Sequence, residues 1–170
     1  MNSTTSTPNP IIFDLIALTK PRVNFLIIFT AIVGMLLAQD FNLNYSLMIY
    51  ASIGIYLAAS AAAVINQIVD QKIDAIMDRT KSRPLIKGNV TSKHAIYFSI
   101  AISLISTYIL YEYVNTITTV LTLFSIIVYS IIYSVYLKNL TSQNIVIGGI
   151  AGAMPPLLGW TAITLSLIHI

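Results

Sequence analysis

The sequence predicts an all-α, polytopic bundle of transmembrane helices, and three observations support this fold class. The 170 residues are 56% hydrophobic and only 9% charged, whereas a soluble domain carries about 25% charged residues. The charged residues are clustered, which leaves long uncharged stretches between the clusters. The basic residues also fall at alternate ends of these stretches. Together these features indicate an integral membrane protein.

Five uncharged stretches are each long enough to cross the hydrocarbon core as a helix, which takes about 17–25 apolar residues. In chain order they cover residues 23–39, 45–68, 95–111, 113–137 and 145–169. Lipid offers no partner for backbone N–H and C=O groups, so each stretch is predicted to be a helix that satisfies its own backbone. Strands of a membrane barrel are excluded because they alternate polar and apolar residues over about ten positions.

Composition divides the chain into two parts. The start, "MNSTTSTPNP", is polar and uncharged, and we predict that residues 1–17 form a disordered tail. Residues 18–170 are predicted to form a single transmembrane domain. The chain contains no cysteine, which excludes disulfides and thiolate metal sites within it.

The distribution of lysine and arginine predicts the orientation in the membrane. Lys20 and Arg22 precede the first predicted helix, further basic residues crowd the loop at residues 69–93, and Lys138 follows the fourth helix. The positive-inside rule places the N-terminus and both loops on the cytoplasmic side. We therefore expect a multi-pass protein of the bacterial cytoplasmic membrane, or of the mitochondrial inner membrane with these loops in the matrix. The lipid bilayer is an expected partner, whereas the small net charge of +3 does not suggest nucleic acid.

The stretch "NQIVDQKIDAIMDRTKSRPL" concentrates charged residues immediately after the second predicted helix. Four of its oxygen-bearing residues follow each other at intervals of four: Asn66, Asp70, Asp74 and Asp78. A helix would place them on one face, with neighbours about 6 Å apart. Like charges at this spacing repel each other, and a divalent cation removes that penalty. Mg²⁺ takes one or two carboxylates together with water and phosphate oxygens, so the pattern predicts a Mg²⁺ site at the membrane surface.

Basic residues with the same spacing follow the acidic ones: Arg79, Arg83 and Lys87. Arginine grips phosphate oxygens through two parallel hydrogen bonds, so this set predicts a phosphate site beside the metal. Pro84 cannot continue a helix, so we expect the helix to end by Ser82 and the basic residues to fold back over the acidic face. Lys138 is either a further phosphate ligand or only a topology signal. The alternative for the whole stretch is a set of ordinary exposed ion pairs.

Three tyrosines share a face near the end of the fourth predicted helix: Tyr129, Tyr133 and Tyr136. Aromatic residues are enriched where a helix meets the membrane–water interface. We therefore expect these tyrosines to belong to an interfacial belt, with a contact to diphosphate as the alternative.

The motif and its surroundings resemble a known family. The Asn-x-x-x-Asp-x-x-x-Asp pattern that starts at Asn66 is similar to the motif of the UbiA-type intramembrane prenyltransferases. The extension "DAIMDRTKSRPLIKG" and the later block "YSVYLKNLTSQNIVIGGIAGAMPPLLGW" resemble one branch, the protohaem IX farnesyltransferases or haem O synthases. The resemblance runs from Leu18 to about Ala162 and implies the first half of the family fold. Since that fold has a second half with its own Asp-rich loop, we expect an N-terminal fragment whose domain is incomplete at the C-terminus.

The resemblance implies the transfer of a farnesyl group from farnesyl diphosphate to a vinyl group of haem b, which gives haem O for terminal oxidases. Haem b is then a substrate rather than a cofactor. The resemblance also implies that Asp70 and Asp74 hold Mg²⁺, with Asn66 as a neutral neighbour, and that these three residues form the catalytic set. The implied cations for the diphosphate are Arg79, Arg83, Lys87 and Lys138. Haem A synthase and terminal oxidase assembly proteins are the candidate protein partners.

Two other functions are kept as alternatives. A prenyltransferase with the same Asp motif could act on an aromatic acid or a quinone precursor, although the Arg-Thr-x-x-Arg-Pro-Leu block argues against this acceptor. The chain could also be a catalytically inactive membrane remnant, an interpretation that a longer natural product would remove. Transport is a weaker idea than either, because no charged residue lies in the middle of a predicted span to line a path.

Overall fold

The fold consists of helices throughout the part of the chain that is described. The computed structural model describes residues 11–38, 44–137 and 144–166. In chain order its helices are α1 (Ile11–Leu18), α2 (Pro21–Leu37), α3 (Tyr45–Val69), α4 (Gln71–Asp74), α5 (Pro84–Lys87), α6 (Ser92–Tyr113), α7 (Thr116–Ile127), a π-helical segment (Val128–Leu137) and α8 (Asn144–Thr164). No strand occurs in these ranges, which confirms the predicted all-α class.

Three helices of the described ranges are long and apolar enough to cross a membrane: Tyr45–Val69, Ser92–Tyr113 and Thr116–Ser134. A fourth candidate is the pair of α1 and α2, which are bent by 46° at the break between them. Large apolar side chains cover the outside of the bundle; Phe25 and Leu37, for example, are 68% and 72% exposed. Such an outer surface matches a lipid environment. The bundle of membrane helices is thus confirmed, whereas the count of five spans and their orientation stay predictions.

Side-chain caps set where two of the helices begin. The side chains of Thr91 and Asn115 accept hydrogen bonds from backbone N–H groups three residues later, at 3.3 and 2.7 Å. These bonds satisfy donors that the first turn of a helix leaves unpaired. Helix α6 therefore starts at Ser92, before its apolar stretch, and α7 starts at Thr116 rather than directly after the preceding helix.

Helix α1 differs from the disordered tail that was expected for residues 1–17. Residues 1–10 lie outside the described ranges, and from Ile11 the chain is helical. A helix this short is marginal in isolation and depends on tertiary packing. The packing is supplied by a cluster of buried residues that also joins α3, α5 and α6: Leu18, Val64, Leu85, Val90 and Ala95. This cluster fixes the loop that follows α3 against α1.

Close backbone packing joins α2 to α8. A Cβ atom added at Gly34 would lie 2.1 Å from the carbonyl oxygen of Pro156, and one added at Gly159 would lie 2.0 Å from that of Ala31. Small residues permit this approach between membrane helices. The main core cluster lies between α2, α3, α6 and α8 and contains Ala31, Met35, Ala51, Ile55, Leu110, Leu158 and Ala162. Helices α2, α3 and α8 thereby form walls of an open cavity.

Candidate active site

The end of α3 and the short helix α4 that follows it place one amide and two carboxylates on one face. The Asp70 N–H donates to the carbonyl of Asn66 at 2.9 Å, and the Asp74 N–H donates to the carbonyl of Asp70 at 2.8 Å. Bonds between residues four apart keep the three side chains in line, as their spacing predicted. Asn66, Asp70 and Asp74 are buried, with 8%, 8% and 5% of their surface exposed. Ionisable groups buried in this way at the end of a membrane helix are costly, which makes this face the candidate functional site.

Asp78 does not continue this face, which corrects the expected row of four residues. Helix α4 ends at Asp74, and the Thr80 hydroxyl donates to the Asp74 carbonyl at 2.8 Å. In a continuous helix that carbonyl would accept a bond from the Asp78 N–H. The Asp78 side chain is instead 96% exposed and forms an ion pair with Lys81 at 2.7 Å. The helix therefore ends well before Ser82, and for Asp78 the interpretation as an ordinary exposed ion pair holds.

Arg83 folds back onto the acidic face, as the position of Pro84 predicted. Its Nη1 atom forms an ion pair with Oδ2 of Asp74. The Arg83 side chain is 25% exposed and that of Asp74 is 8% exposed, so the pair is largely shielded from solvent. A guanidinium group that is held beside a carboxylate site can also grip phosphate oxygens.

The other cations predicted for the diphosphate lie farther out on the loop or beyond it. Arg79 is exposed in the turn after α4, and Lys87 is exposed at the end of α5. Lys138 lies outside the described ranges, and its assignment stays a prediction. Of the predicted cations, Arg83 is thus the one that the described contacts bring to the carboxylates.

Two side chains of the π-helical segment hold the amide of Asn66. Asn66 Nδ2 donates to the Tyr129 hydroxyl at 3.2 Å, and Ser134 Oγ donates to Asn66 Oδ1 at 3.1 Å. Tyr129 was expected in an interfacial belt, and Ser134 was not assigned from the sequence. The two residues are five apart, a spacing that aligns side chains in a π-helix but not in an α-helix. The hydrophobic pattern therefore carried no signal for this pair.

An apolar cavity of about 450 Å³ lies beside this network. Its walls come from α2, α3, α7 and α8 and include Ile27, Ile55, Ala58, Ala62, Met154 and Leu158. Tyr129 also lines the cavity, so a single residue contacts both the cavity and Asn66. Pockets of about 300–1,000 Å³ with few polar groups bind small organic ligands. The cavity can hold an apolar chain whose polar end reaches the acidic face.

Lys20 lines the same cavity from the break between α1 and α2. Its backbone is left-handed, with φ 53° and ψ 61°, which is unfavourable for a residue that has a Cβ atom. The buried Asn24 holds the break, because its Nδ2 atom donates to the Thr19 carbonyl and to the Ser60 hydroxyl, both at 2.8 Å. Strained residues that their surroundings hold in place cluster at functional sites. The sequence identified Lys20 only as a topology signal and missed its place at the cavity.

The oxygen donors of the acidic face suit a hard cation. Asn66 offers an amide oxygen, and Asp70 and Asp74 offer carboxylates. Mg²⁺ takes one or two carboxylates and completes its shell with water and substrate phosphates. Within the described ranges, no group of three or more His, Cys, Asp or Glu side chains forms a metal cage. Two carboxylates and one amide oxygen fit a Mg²⁺ ion that takes its remaining ligands from water and a phosphorylated ligand.

Curated relatives match most of this chain. A protoheme IX farnesyltransferase of Hahella chejuensis is 50% identical over 151 residues, which cover 89% of this chain and 50% of the relative. Proteins of the same name from Alcanivorax borkumensis and Xanthomonas oryzae pv. oryzae are 53% and 55% identical, over 89% and 86% of this chain and 50% of each relative. The chain thus spans about half the length of the curated relatives it matches. No solved structure gives a significant match.

A family model classifies the chain. The model of the UbiA prenyltransferase family matches residues 27–169. The match includes the face formed by Asn66, Asp70 and Asp74, helix α2 from Ile27 onward, helices α3, α7 and α8, and the π-helical segment. It confirms the resemblance that the motifs indicated. The chain belongs to the UbiA prenyltransferase family.

Proposed function

We propose that this chain contains the prenyl diphosphate site of a protohaem IX farnesyltransferase, which joins the farnesyl group of farnesyl diphosphate to a vinyl group of haem b and yields haem O. The observation that carries the proposal is the position of Tyr129. Its ring lines the apolar cavity, and its hydroxyl accepts a hydrogen bond from Asn66, one helical turn before Asp70. The name of the relatives, protoheme IX farnesyltransferase, supports haem as the acceptor. It favours haem over an aromatic acid or a quinone precursor.

The cavity suits a farnesyl chain because its lining makes few polar demands. Thr30 and Thr122 line the cavity, but their hydroxyls donate to carbonyls of their own helices at 2.8 and 2.7 Å. The remaining wall residues are mostly aliphatic or small. Each methylene group that moves from water into such a wall contributes about 0.8 kcal/mol to binding.

The acidic face and the loop after it suit the diphosphate. Negative charge on the diphosphate grows as its bond to the farnesyl carbon breaks, and groups already positioned for that charge lower the barrier. Arg83, which Asp74 holds in place, supplies fixed N–H donors, and Arg79 and Lys87 add positive charge on the same loop. Mg²⁺ held by Asp70 and Asp74 would neutralise the same charge when it binds with the diphosphate.

The transfer step balances without an added oxidant or reductant. The C–O bond breaks with its electron pair on the diphosphate, which leaves an allylic cation beside the cavity. The aliphatic walls keep water away from this cation until the acceptor reaches it. The π electrons of the haem vinyl group then form the new C–C bond to the farnesyl carbon, which leaves a cation on the vinyl carbon next to the porphyrin. One water molecule adds to this cation and loses a proton to the released diphosphate, which gives the hydroxyl of the hydroxyethylfarnesyl substituent.

The proposal also includes a location and partners. The basic residues of the loop at 69–93 favour the cytoplasmic side of a bacterial membrane or the matrix side of a mitochondrial inner membrane. Haem A synthase and terminal oxidase assembly proteins are the proposed partners, because they would receive the product.

The deciding experiment is label transfer in membranes that carry the protein in its natural reading frame. Radiolabelled farnesyl diphosphate is supplied with Mg²⁺ and haem b, and the products are separated by chromatography. We expect label in a haem fraction, and its loss in an Asp70→Asn variant. Label that appears in a quinone or aromatic acid fraction instead would contradict haem as the acceptor. A parallel sample with these 170 residues alone tests whether the chain suffices or is an inactive fragment.

A further inference from the structure

We propose that Tyr129 and Ser134 are positioning residues that hold the Asn66 amide in one orientation for the bound diphosphate and its cation. The inference rests on the proposed function, because it takes the acidic face as the site of the diphosphate. It extends that function to residues outside the Asp motif, on a different helix of the bundle.

The two contacts use half of the hydrogen-bonding capacity of the amide. An asparagine side chain has two N–H donors, and its oxygen has two lone pairs. Tyr129 accepts from one N–H, and Ser134 donates to one lone pair. Within the described contacts, the amide of Asn66 therefore keeps one N–H for a phosphate oxygen and one lone pair for a cation. Because its two partners fix the plane of the amide, a rotation of the amide away from these ligands would break at least one hydrogen bond.

The π-helical segment explains why one short stretch supplies both partners. In an α-helix, residues five apart point about 140° away from each other. A π-helix closes its bonds between residues five apart, which brings such residues onto one side. Ser134 Oγ also lies 2.9 Å from the carbonyl of Tyr129 and donates to it. The single hydroxyl proton of Ser134 thus serves the Asn66 oxygen and the Tyr129 carbonyl by turns, and it links the amide to the π-helical backbone.

Tyr129 couples this orientation to the occupation of the cavity. Its ring forms part of the cavity wall, while its hydroxyl contacts Asn66. A Tyr129→Phe change keeps the ring and the wall but removes the hydroxyl contact. Tyr129 therefore lies where the farnesyl chain and the diphosphate end of the ligand meet. Removal of its hydroxyl oxygen alone separates its contact with Asn66 from its place in the cavity wall.

The segment itself provides matched controls. Ser130 is buried, and its hydroxyl has no hydrogen-bond partner among the described residues. Ser130→Ala removes a hydroxyl from the same π-helical turns without breaking a described bond. Tyr133 stacks on Tyr129 with ring centroids 5.8 Å apart, and Tyr133→Phe removes a phenol hydroxyl next to the proposed one. Ser134→Thr is the conservative variant, since it keeps the hydroxyl.

The test measures equilibrium binding of labelled farnesyl S-thiolodiphosphate, which is not turned over, to the detergent-purified protein in its natural reading frame. We expect Tyr129→Phe and Ser134→Ala to weaken binding in the presence of Mg²⁺ by about tenfold each, since each leaves a buried amide group without its partner. The Mg²⁺ concentration that gives half-maximal binding should rise in both variants. Ser134→Thr, Ser130→Ala and Tyr133→Phe should bind the analogue within about twofold of the wild type.

Several results would overturn the inference. Unchanged binding in Tyr129→Phe and Ser134→Ala would do so even if the wild type transfers farnesyl to haem. An equal loss in Ser130→Ala would do so too, because it would show a general sensitivity of the segment. Thermal melting identifies a variant that does not fold. If Ser134→Ala does not fold, the comparison of binding between Tyr129→Phe and Ser134→Thr tests the inference instead. A wild type that binds the analogue but transfers no farnesyl would instead contradict the proposed reaction, while the order of binding among the variants still decides this inference.

Discussion

Arg83 and Asp74 form an ion pair that holds the start of α5 against the end of α4. The pair is largely shielded, since the two side chains are 25% and 8% exposed. Breaking a buried pair is expensive because one charge is left without compensation. This contact therefore ties the stability of the loop to the arrangement of the acidic face.

The first prediction concerns this pair. Arg83→Gln should lower the free energy of unfolding by about 3 kcal/mol and also weaken the binding of farnesyl diphosphate. The stability and the diphosphate affinity of Arg83→Lys should lie between those of Arg83→Gln and the wild type, since lysine keeps the charge but not the planar guanidinium group. Thermal unfolding in detergent and diphosphate binding measure the two effects. The matched control is Lys81→Gln, which removes an exposed ion pair with Asp78 and should change neither; an equal effect in this control would contradict the assignment.

The second prediction tests the close approach of α2 and α8. Gly34→Ala places a methyl group against the carbonyl of Pro156 and should destabilise the fold by about 1–3 kcal/mol or more, as overpacking does. Gly149→Ala is the control, because a Cβ atom there would meet nothing within 4 Å. Thermal melting of both variants in the same detergent makes the comparison. Equal melting temperatures would show that the two helices can move apart without cost.

The third prediction concerns the capacity of the cavity. Ala59 lines the cavity and is only half-buried, so Ala59→Phe should reduce the free volume with little effect on the rest of the core. We expect the variant to bind geranyl diphosphate better, relative to farnesyl diphosphate, than the wild type does. Competition binding with the two diphosphates gives the ratio. The control is Ala101→Phe on the exposed side of α6, and a ratio that shifts equally there would argue against the cavity as the prenyl site.

The fourth prediction concerns the left-handed backbone of Lys20. Both Lys20→Ala and Lys20→Gly remove the amine, but only glycine accepts a φ of 53° without a steric penalty. The glycine variant should therefore be more stable than the alanine variant by about 1 kcal/mol. Thermal melting of the two variants measures the difference. Equal melting temperatures of the two variants would show that the surroundings of residue 20 do not impose the left-handed conformation.

The sequence predicted the parts of this protein that depend on long-range composition and on fixed spacing. Uncharged stretches identified the long helices, because lipid requires both apolar side chains and a self-satisfied backbone. The spacing of Asn66, Asp70 and Asp74 correctly placed them on one face, and Pro84 correctly indicated that Arg83 folds back. Each of these features follows from a rule that acts within one helix or one turn.

The features that were not predicted depend on contacts that the spacing of residues within one helix does not reveal. Asp78 lies outside the helix because the Thr80 hydroxyl donates to the carbonyl of Asp74. The spacing of the acidic residues does not indicate this competing hydrogen bond. Helix α1 is stabilised by a cluster that only the assembled fold creates. The contact of Ser134 with Asn66 requires a π-helix, whose period the apolar pattern of the segment does not distinguish from that of an α-helix.

The backbone contact between α2 and α8 has a consequence for the order in which the protein is made. Helix α2 is among the first to leave the ribosome and α8 is the last of the described helices, yet both wall the same cavity. Until α8 has been synthesised and inserted, Gly34 of α2 lacks its contact with Pro156, and the cavity lacks the wall that α8 supplies. Contacts between distant parts of a chain form late and slowly. A nascent chain therefore acquires its acidic face with α3 and α4 well before it can enclose an apolar ligand. If the cavity is the prenyl site, as proposed, the prenyl chain can bind only after translation has reached α8.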